Sequence, residues 1–269
     1  MQPFLKIENL EKVYLSQNFA GVRQEHRALE SLSLTIQTGT TMAIVGESGS
    51  GKSTLALCVA CLEEPTSGRI WFSGKDIADL SRHERRRLRR DVQIIFQDPA
   101  NSLNPKWTVR EIVTEPFVLE NKLSQEEMRL RVISLLERVG LSQDLLDRSP
   151  LMLSGGQRQR VAIARGLALE PKLLILDEAL SALDCSVQAQ IANLLTDLQR
   201  ASGMAYLFIT HDLAMAAHLS DEIVVMSAGQ IVEQGSTQNV LRQPKSKIAR
   251  LLIAATPRLT STTLSMLER

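Results

Sequence analysis

TMAIVGESGSGKSTLALCV, residues Thr41 to Val59, changes character twice within nineteen positions. The run TMAIVG is apolar and β-branched without alternation, the pattern of a strand buried on both faces. The stretch from Lys52 onward is an apolar helix former. Between them lies Gly46, Glu47, Ser48, Gly49, Ser50 and Gly51, followed by Lys52, Ser53 and Thr54. Glycines at that spacing let successive backbone N–H groups turn inward around an anion, and the helix that follows adds the positive end of its dipole. The spacing Gly-x-x-x-x-Gly-Lys-Ser, placed after a strand and before a helix, therefore reads as a nucleotide phosphate cradle. Lys52 is expected to reach the β- and γ-phosphates, and the Ser53 hydroxyl to ligate Mg²⁺.

A phosphate cradle of this kind needs a carboxylate partner, and LLILDE, Leu173–Glu178, supplies one. Asp177 at the end of a buried strand is placed to hold Mg²⁺, directly or through water. Glu178 is placed to polarise a water for attack on the γ-phosphate. Two adjacent acids at a strand end are otherwise a helix N-terminal charge pair, but the cradle upstream favours the metal and base roles.

Outward from these two points, strands and helices alternate. KLLILDE and MAYLFITHD read as buried strands, and CSVQAQIANLLTDLQRASG as a helix closed by Gly203. DEIVVMSAGQIVEQG reads as two strands joined at Ala228-Gly229. The first third is β-rich, with strands expected over FLKIENLEKVYL and LESLSLTIQTG and a loop over SQNFAGVRQEHR. KSTLALCVACLEE is expected to be one helix. The middle is helical. Ser124-x-x-Glu127 is a capping box before a helix ending at Gly140, and Ser154-x-x-Gln157 is a second one. These patterns predict an α/β fold, a P-loop NTPase (RecA-like) core with an antiparallel β subdomain and an inserted α-helical subdomain. The expected boundaries are 1–97 with 171–245 for the core and its β layer, 98–170 for the helical subdomain and 246–269 for a tail.

Composition narrows the classes of partner. Lysine and arginine total 31 against 30 aspartates and glutamates, so no basic surplus points to nucleic acid. SRHERRRLRRD reads as a charged, solvated helix face, since no aromatics interleave with its arginines. Cys58, Cys61 and Cys185 supply no paired C-x-x-C set and no zinc spacing, and Cys58 with Cys61 reads as small-residue helix packing. Such thiol usage fits a reducing compartment. The N-terminal stretch shows no basic segment followed by an apolar one, so no signal peptide is expected. No apolar run approaches the ~20 residues of a membrane span.

Three polar residues at strand ends, Gln97, His211 and Asp184, read individually as caps or as site residues. Their order decides between these. GESGSGKST, then FQDP, LSGGQ, LLILDE, SALD and ITHD follow one another as in the ATP-binding cassette family, and the chain resembles that family over nearly its whole length. GESGSGKSTLA, RRDVQIIFQDPANSLNP, TVREIVTEP and DEALSALDCSVQAQI are most similar to ATPase subunits of bacterial importers for oligopeptides, dipeptides and nickel. One departure is DEALSALD, where many cassettes carry proline and threonine after the glutamate. The resemblance implies that Gln97 approaches Mg²⁺ and the attacking water, that His211 touches the γ-phosphate, and that Asp184 belongs to the loop between LLILDE and the next helix. It implies that Tyr14 stacks on adenine, where the residues alone read a strand aromatic.

The glycine pair in LSGGQ is a second helix N-terminus offering N–H groups to phosphate. By resemblance, Ser154, Gly155, Gly156 and Gln157 meet the γ-phosphate held by another subunit. The implied activity is ATP hydrolysis with ATP and Mg²⁺, driving import of short peptides or nickel chelates. The implied partners are a second cassette ATPase, a heterodimer by resemblance with a homodimer open, two transmembrane permease subunits and, indirectly, an extracytoplasmic substrate-binding protein, with no nucleic acid. The implied location is peripheral, on the cytoplasmic face of the inner membrane. The segment from Asn101 to about Glu120, with Trp107 and Phe117, is expected to receive a permease helix. The alternatives are a soluble cassette ATPase acting on nucleic acid or ribosomes, which typically carries paired cassettes or long coiled-coil insertions, and a simple nucleotide kinase, which leaves LSGGQ, Gln97 and His211 unexplained.

Overall fold

The computed structural model describes residues 3–17, 23–97, 102–120 and 123–256. They fall into two compact units, one within 1–89 and 205–269, the other within 90–204. In the first unit, the alternating N-terminal segments pair as expected. β1 (Leu5–Gln17) lies antiparallel to β2 (Arg23–Ile36), from Leu5 opposite Ile36 to Gln17 opposite Arg23. On its other edge β1 pairs with β4 (Ser67–Phe72), which pairs in turn with the short β5 (Lys75–Asp76). Leu5, Ile7, Leu32, Leu34 and Ile36 are buried, the one-faced alternation of a sheet packed on a core. Register shifts interrupt β1 between Ile7 and Val13, where Asn9 takes a positive φ of 47°.

The continuous apolar runs form a parallel set. β3 (Thr41–Gly46) is buried along its whole length and lies parallel to both β8 (Ala205–Thr210) and β9 (Glu222–Ser227). β10 (Gln230–Ser236) closes the order β10-β9-β3-β8 as an antiparallel strand. The β9–β10 turn is the expected Ala228-Gly229 pair, with φ of 48° and 79°. Positive φ at both central residues matches the right-handed twist of the flanking strands. Gly229 also accepts from the Glu30 amide through its carbonyl, joining this hairpin to β2. α1 (Lys52–Val59) follows β3, and α7 (Leu213–Leu219), α8 (Thr237–Arg242) and α9 (Lys247–Ala254) complete the unit.

In the second unit, β6 (Val92–Ile95) lies parallel to β7 (Leu173–Asp177), and every residue of β7 is buried. Among the described residues they are accompanied by α3 (Val109–Glu120), α4 (Gln125–Arg138), α5 (Gly155–Leu167) and α6 (Cys185–Ser202). Both expected capping boxes form. Ser124 and Ser154 each accept from the backbone N–H three residues on, and Glu127 and Gln157 return the bond. Gly140 and Gly203 end α4 and α6 with φ of 68° and 69°.

Three local expectations are corrected. The helix after the glycine loop stops at Val59 with Ala60 as its C-cap, so KSTLALCVACLEE is not one helix. Cys61 lies beyond it with φ of 55° and does not share a helix face with Cys58. At both ends of the loop expected over SQNFAGVRQEHR the chain is strand, because β1 runs to Gln17 and β2 begins at Arg23, while residues 18–22 lie outside the described residues. The arginine-rich α2 (Arg82–Asp91) is not merely a solvated face. Arg85 donates to the carbonyls of Leu80 and Ala78 and pairs with Glu64, and Arg89 donates to the Cys61 carbonyl.

Candidate functional site

The parallel register of the first unit sets two functional segments side by side. Val45 of β3 is level with Thr210 of β8 and Val225 of β9, and Gly46 with Met226. The glycine loop therefore leaves the carboxyl end of the sheet next to His211, which directly follows β8 and is exposed. Asp212 begins the next helix, its Oδ1 accepting from the amides of Ala214 and Met215 at 2.8 and 3.2 Å. That cap holds the backbone on which His211 stands.

The loop has the build of an anion cradle. A Cβ on Gly46 would collide with the Met226 carbonyl oxygen, and one on Gly51 with that of Ala28. Gly51, at φ 99°, is the N-cap of α1 and gives no side-chain cap. The positive end of this helix is thus left without the hydroxyl or carboxylate that caps α4, α5 and α7. Ser50 is buried, its amide bonded to the Glu47 carbonyl at 3.2 Å. Glu47, Ser48, Gly49 and Ser53 are exposed, and Thr54 is half-buried. Lys52 is 4% exposed, and its ammonium donates to the carbonyls of Gly46 and Glu47 at 2.9 and 2.8 Å and to Ser50 Oγ at 3.3 Å. A buried ammonium wrapped by its own loop, beside an uncapped helix N-terminus, fits a phosphate chain. Tyr14 is half-buried on β1, with the Lys12 ammonium 4.8 Å from its ring centroid.

The second unit gathers the other candidates at two places. Ile95 of β6 is level with Leu176 of β7, so Gln97 and the Asp177–Glu178 pair emerge from neighbouring strand ends. Asp177 is 7% exposed, and Glu178 half-buried. Glu178 has φ of 49°, a left-handed conformation costly for a residue with a side chain. It is held there by Ser181, whose amide and hydroxyl both donate to the Glu178 carbonyl at 3.1 and 2.8 Å. Backbone strain of this kind recurs at functional positions.

The second place is the start of α5. Ser154 is its N-cap, and Gly155, Gly156 and Gln157 form its first turn. A Cβ on Gly156 would press on Val187 at 2.8 Å, and one on Gly155 would touch Leu183 at 3.6 Å. The glycines therefore let the α5 N-terminus pack on the residues flanking Asp184, which is exposed at the N-cap of α6 and makes no side-chain cap there.

The docking expectation divides. Phe117 is buried and lies under the Arg131 guanidinium, 5.9 Å from its ring centroid, rather than on an open face. It borders a cleft of about 170 Å³ with Arg90, Leu123 and Arg131, whose lining does not include the half-buried Trp107. Asn101 lies outside the described residues. Sequence reasoning also missed Arg165, which donates from α5 to the Ser102 carbonyl at 2.7 Å. Burial lowers its pKa against an opposing contribution from Glu115. It ties the LSGGQ helix to the segment after Gln97, and a lone arginine on a helix gives no sequence signal of that contact.

Strand, glycine loop and helix in the first unit, and an acid pair at the end of a buried strand in the second, define an α/β nucleotide-binding cassette of the P-loop NTPase class. Residues 29–181 match the model of the ABC transporter family, and the chain belongs to that family. It is 42% identical over 258 residues to the dipeptide transport ATP-binding protein DppF of Haemophilus influenzae, covering 96% of this chain and 79% of that protein. It is 45% identical over 232 residues to the oligopeptide transport ATP-binding protein OppF of Salmonella typhimurium, covering 86% and 70%. Among solved structures, the ATP-binding cassette MJ0796, a dimer in a post-hydrolysis state bound to ADP and Pi, superposes with a TM-score of 0.77 at 32% identity, covering 87% of this chain and 98% of that one.

Proposed function

We propose that this chain is the ATP-hydrolysing subunit of a bacterial importer of short peptides, working through separate permease subunits from the cytoplasmic face of the membrane. The observation that carries the reading is a pair of glycine-lined helix N-termini in one chain, α1 behind Lys52 and α5 behind Ser154. One nucleotide needs one such cradle. Two are accounted for if each chain contributes a half-site and a second cassette completes it. Similarity to peptide-transport ATP-binding proteins over most of the chain supports the cargo class.

In this reading the Lys52 ammonium exchanges the carbonyls of Gly46 and Glu47 for phosphate oxygens, and the loop amides from Glu47 to Thr54 hold the chain of phosphates. Ser53, Asp177 and Gln97 have the oxygen donors that Mg²⁺ requires, and the ion when bound neutralises charge on the β- and γ-phosphates. Glu178 accepts a proton from the water that attacks the γ-phosphorus, while the bond from that phosphorus to the ADP oxygen breaks. His211 donates to the γ-phosphate, and Tyr14 stacks on the adenine. Ser154, Gly155, Gly156 and Gln157 close on the nucleotide held by the other cassette, and Asp184 lies beside them. Residues 98–170 act as the subdomain that transmits closure to the permease, with the extracytoplasmic binding protein acting only through it.

The test is transport by the reconstituted complex of this chain, its partner cassette and the permeases in proteoliposomes. ATP-driven uptake of a labelled di- or oligopeptide is the expected result. Uptake of a nickel chelate with no peptide transport would reassign the cargo. ATPase activity stimulated by nucleic acid or ribosomes instead would overturn the importer reading.

A further inference from the structure

We propose that Lys12 is a positioning residue for the nucleotide base, acting through the ring of Tyr14. The inference rests on the reading of Tyr14 as the adenine-stacking aromatic. The Lys12 ammonium lies 4.8 Å from the centroid of that ring. The same nitrogen pairs with Glu63 Oε2 at 2.8 Å and donates to the Glu64 carbonyl at 2.8 Å. The Lys12 side chain is 13% exposed and that of Glu63 36%, so the lysine is covered along its length while the ion pair itself meets solvent. The hydrogen bond that Lys12 donates to Glu63 raises its pKa above the usual lysine value, against an opposing effect of desolvation.

Two features make this contact more than packing. The β1–β2 ladder shifts register between Leu10 and Lys12 and again between Lys12 and Val13, then runs regularly from Val13 opposite Arg27 through Tyr14 opposite His26. A clamp to the next connector braces the irregular stretch. The Val13 amide donates to Thr66 Oγ1 at 2.9 Å, the Thr66 amide to the Glu11 carbonyl at 2.8 Å, and Ser67 Oγ to Glu11 Oε2 at 2.9 Å. That connector, Glu63 to Ser67, begins three residues after the C-cap of α1, the helix whose other end forms the phosphate cradle. Lys12 thus links the base-side strand to the phosphate-side helix. A cation against one face of a tyrosine restrains the ring plane and draws electron density from it, both of which favour stacking of an electron-rich purine on the opposite face.

The experiment compares ATP with inorganic triphosphate, each with Mg²⁺, by calorimetry on the full chain. Lys12→Met is expected to weaken ATP binding about 3- to 10-fold and leave triphosphate binding unchanged, since only the base contact is lost. In the assembled complex, KM for ATP should rise by the same factor with kcat retained. Lys12→Arg should restore ATP affinity, and Glu63→Gln should reproduce part of the loss in a chain that keeps its lysine. Equal weakening for both ligands, or unchanged ATP affinity in Lys12→Met, overturns the proposal. Tyr14→Ala separates the two layers. If it leaves ATP affinity intact, the stacking role of Tyr14 fails; if it weakens ATP while Lys12→Met does not, the role of Lys12 alone fails.

Discussion

Glu178, proposed as the acceptor of a proton from the attacking water, stands on an unusual backbone. A glutamate at φ 49° persists only where surrounding bonds over-determine it, and Ser181 supplies two of them. The conformation is a property of the backbone, so Glu178→Gln should fold, keep the turn and bind ATP. It should lose the proton acceptor and with it about 10²- to 10⁴-fold in turnover, while a nucleotide-loaded dimer accumulates. Size-exclusion chromatography with ATP and steady-state ATPase measurement check both halves. Turnover equal to the parent would remove Glu178 from the base role. Lys52 illustrates the opposite case: its type and spacing suggest the proposed phosphate contact, and its ammonium is buried among loop carbonyls.

Among the elements, α1 departs from ordinary helix design at its N-terminus. Its N-cap is a glycine in the left-handed region, with a carbonyl of β2 against the place where a side chain would begin. Gly51→Ala therefore meets both a conformational cost of about 1–2 kcal/mol and a collision with backbone that cannot swing away. The expected result is a lower unfolding midpoint together with loss of ATP binding, measured by thermal denaturation with and without nucleotide. An unchanged midpoint would show that the loop can be rebuilt with a side chain there. α5 follows the usual rules, with a serine cap and a glutamine reply, and this is what lets its glycines sit at a well-formed N-terminus.

For the assembled molecule, the prediction concerns what one chain cannot do alone. Ser154→Arg replaces a cap worth about 1 kcal/mol and puts a bulky cation where α5 is proposed to meet a nucleotide held by another cassette. The isolated chain, whose phosphate cradle is built from other residues, should bind ATP nearly as before. Assembly with a second cassette and hydrolysis should fail. Nucleotide binding followed by fluorescence, beside ATPase activity of the complex, distinguishes these. Loss of binding in the isolated variant would contradict the division of the site between chains.

The order of motifs, the buried strands, the capping boxes and the Ala228-Gly229 turn were all legible in the residues, because each depends on local chemistry: periodicity, a side chain reaching its own backbone, a glycine where φ is positive. The same local logic failed where distant partners intervene. The helix after the glycine loop ended early, with Cys61 in a left-handed turn, and Ser16–Gln17 and Arg23–Arg27, expected in a loop, became strand because β1 and β2 offer each other a ladder. Phe117 lies under Arg131 and borders a cleft, a placement that no local pattern announces. The contacts of Lys12 with Glu63, and of Arg165 with Ser102, join residues 51 and 63 positions apart. Sequence alone determined which chemistry this chain carries, since a phosphate cradle is written in consecutive residues. Folding decided how that chemistry is held, because the forces that aim a ring or a carboxylate come from side chains that only a closed chain brings together.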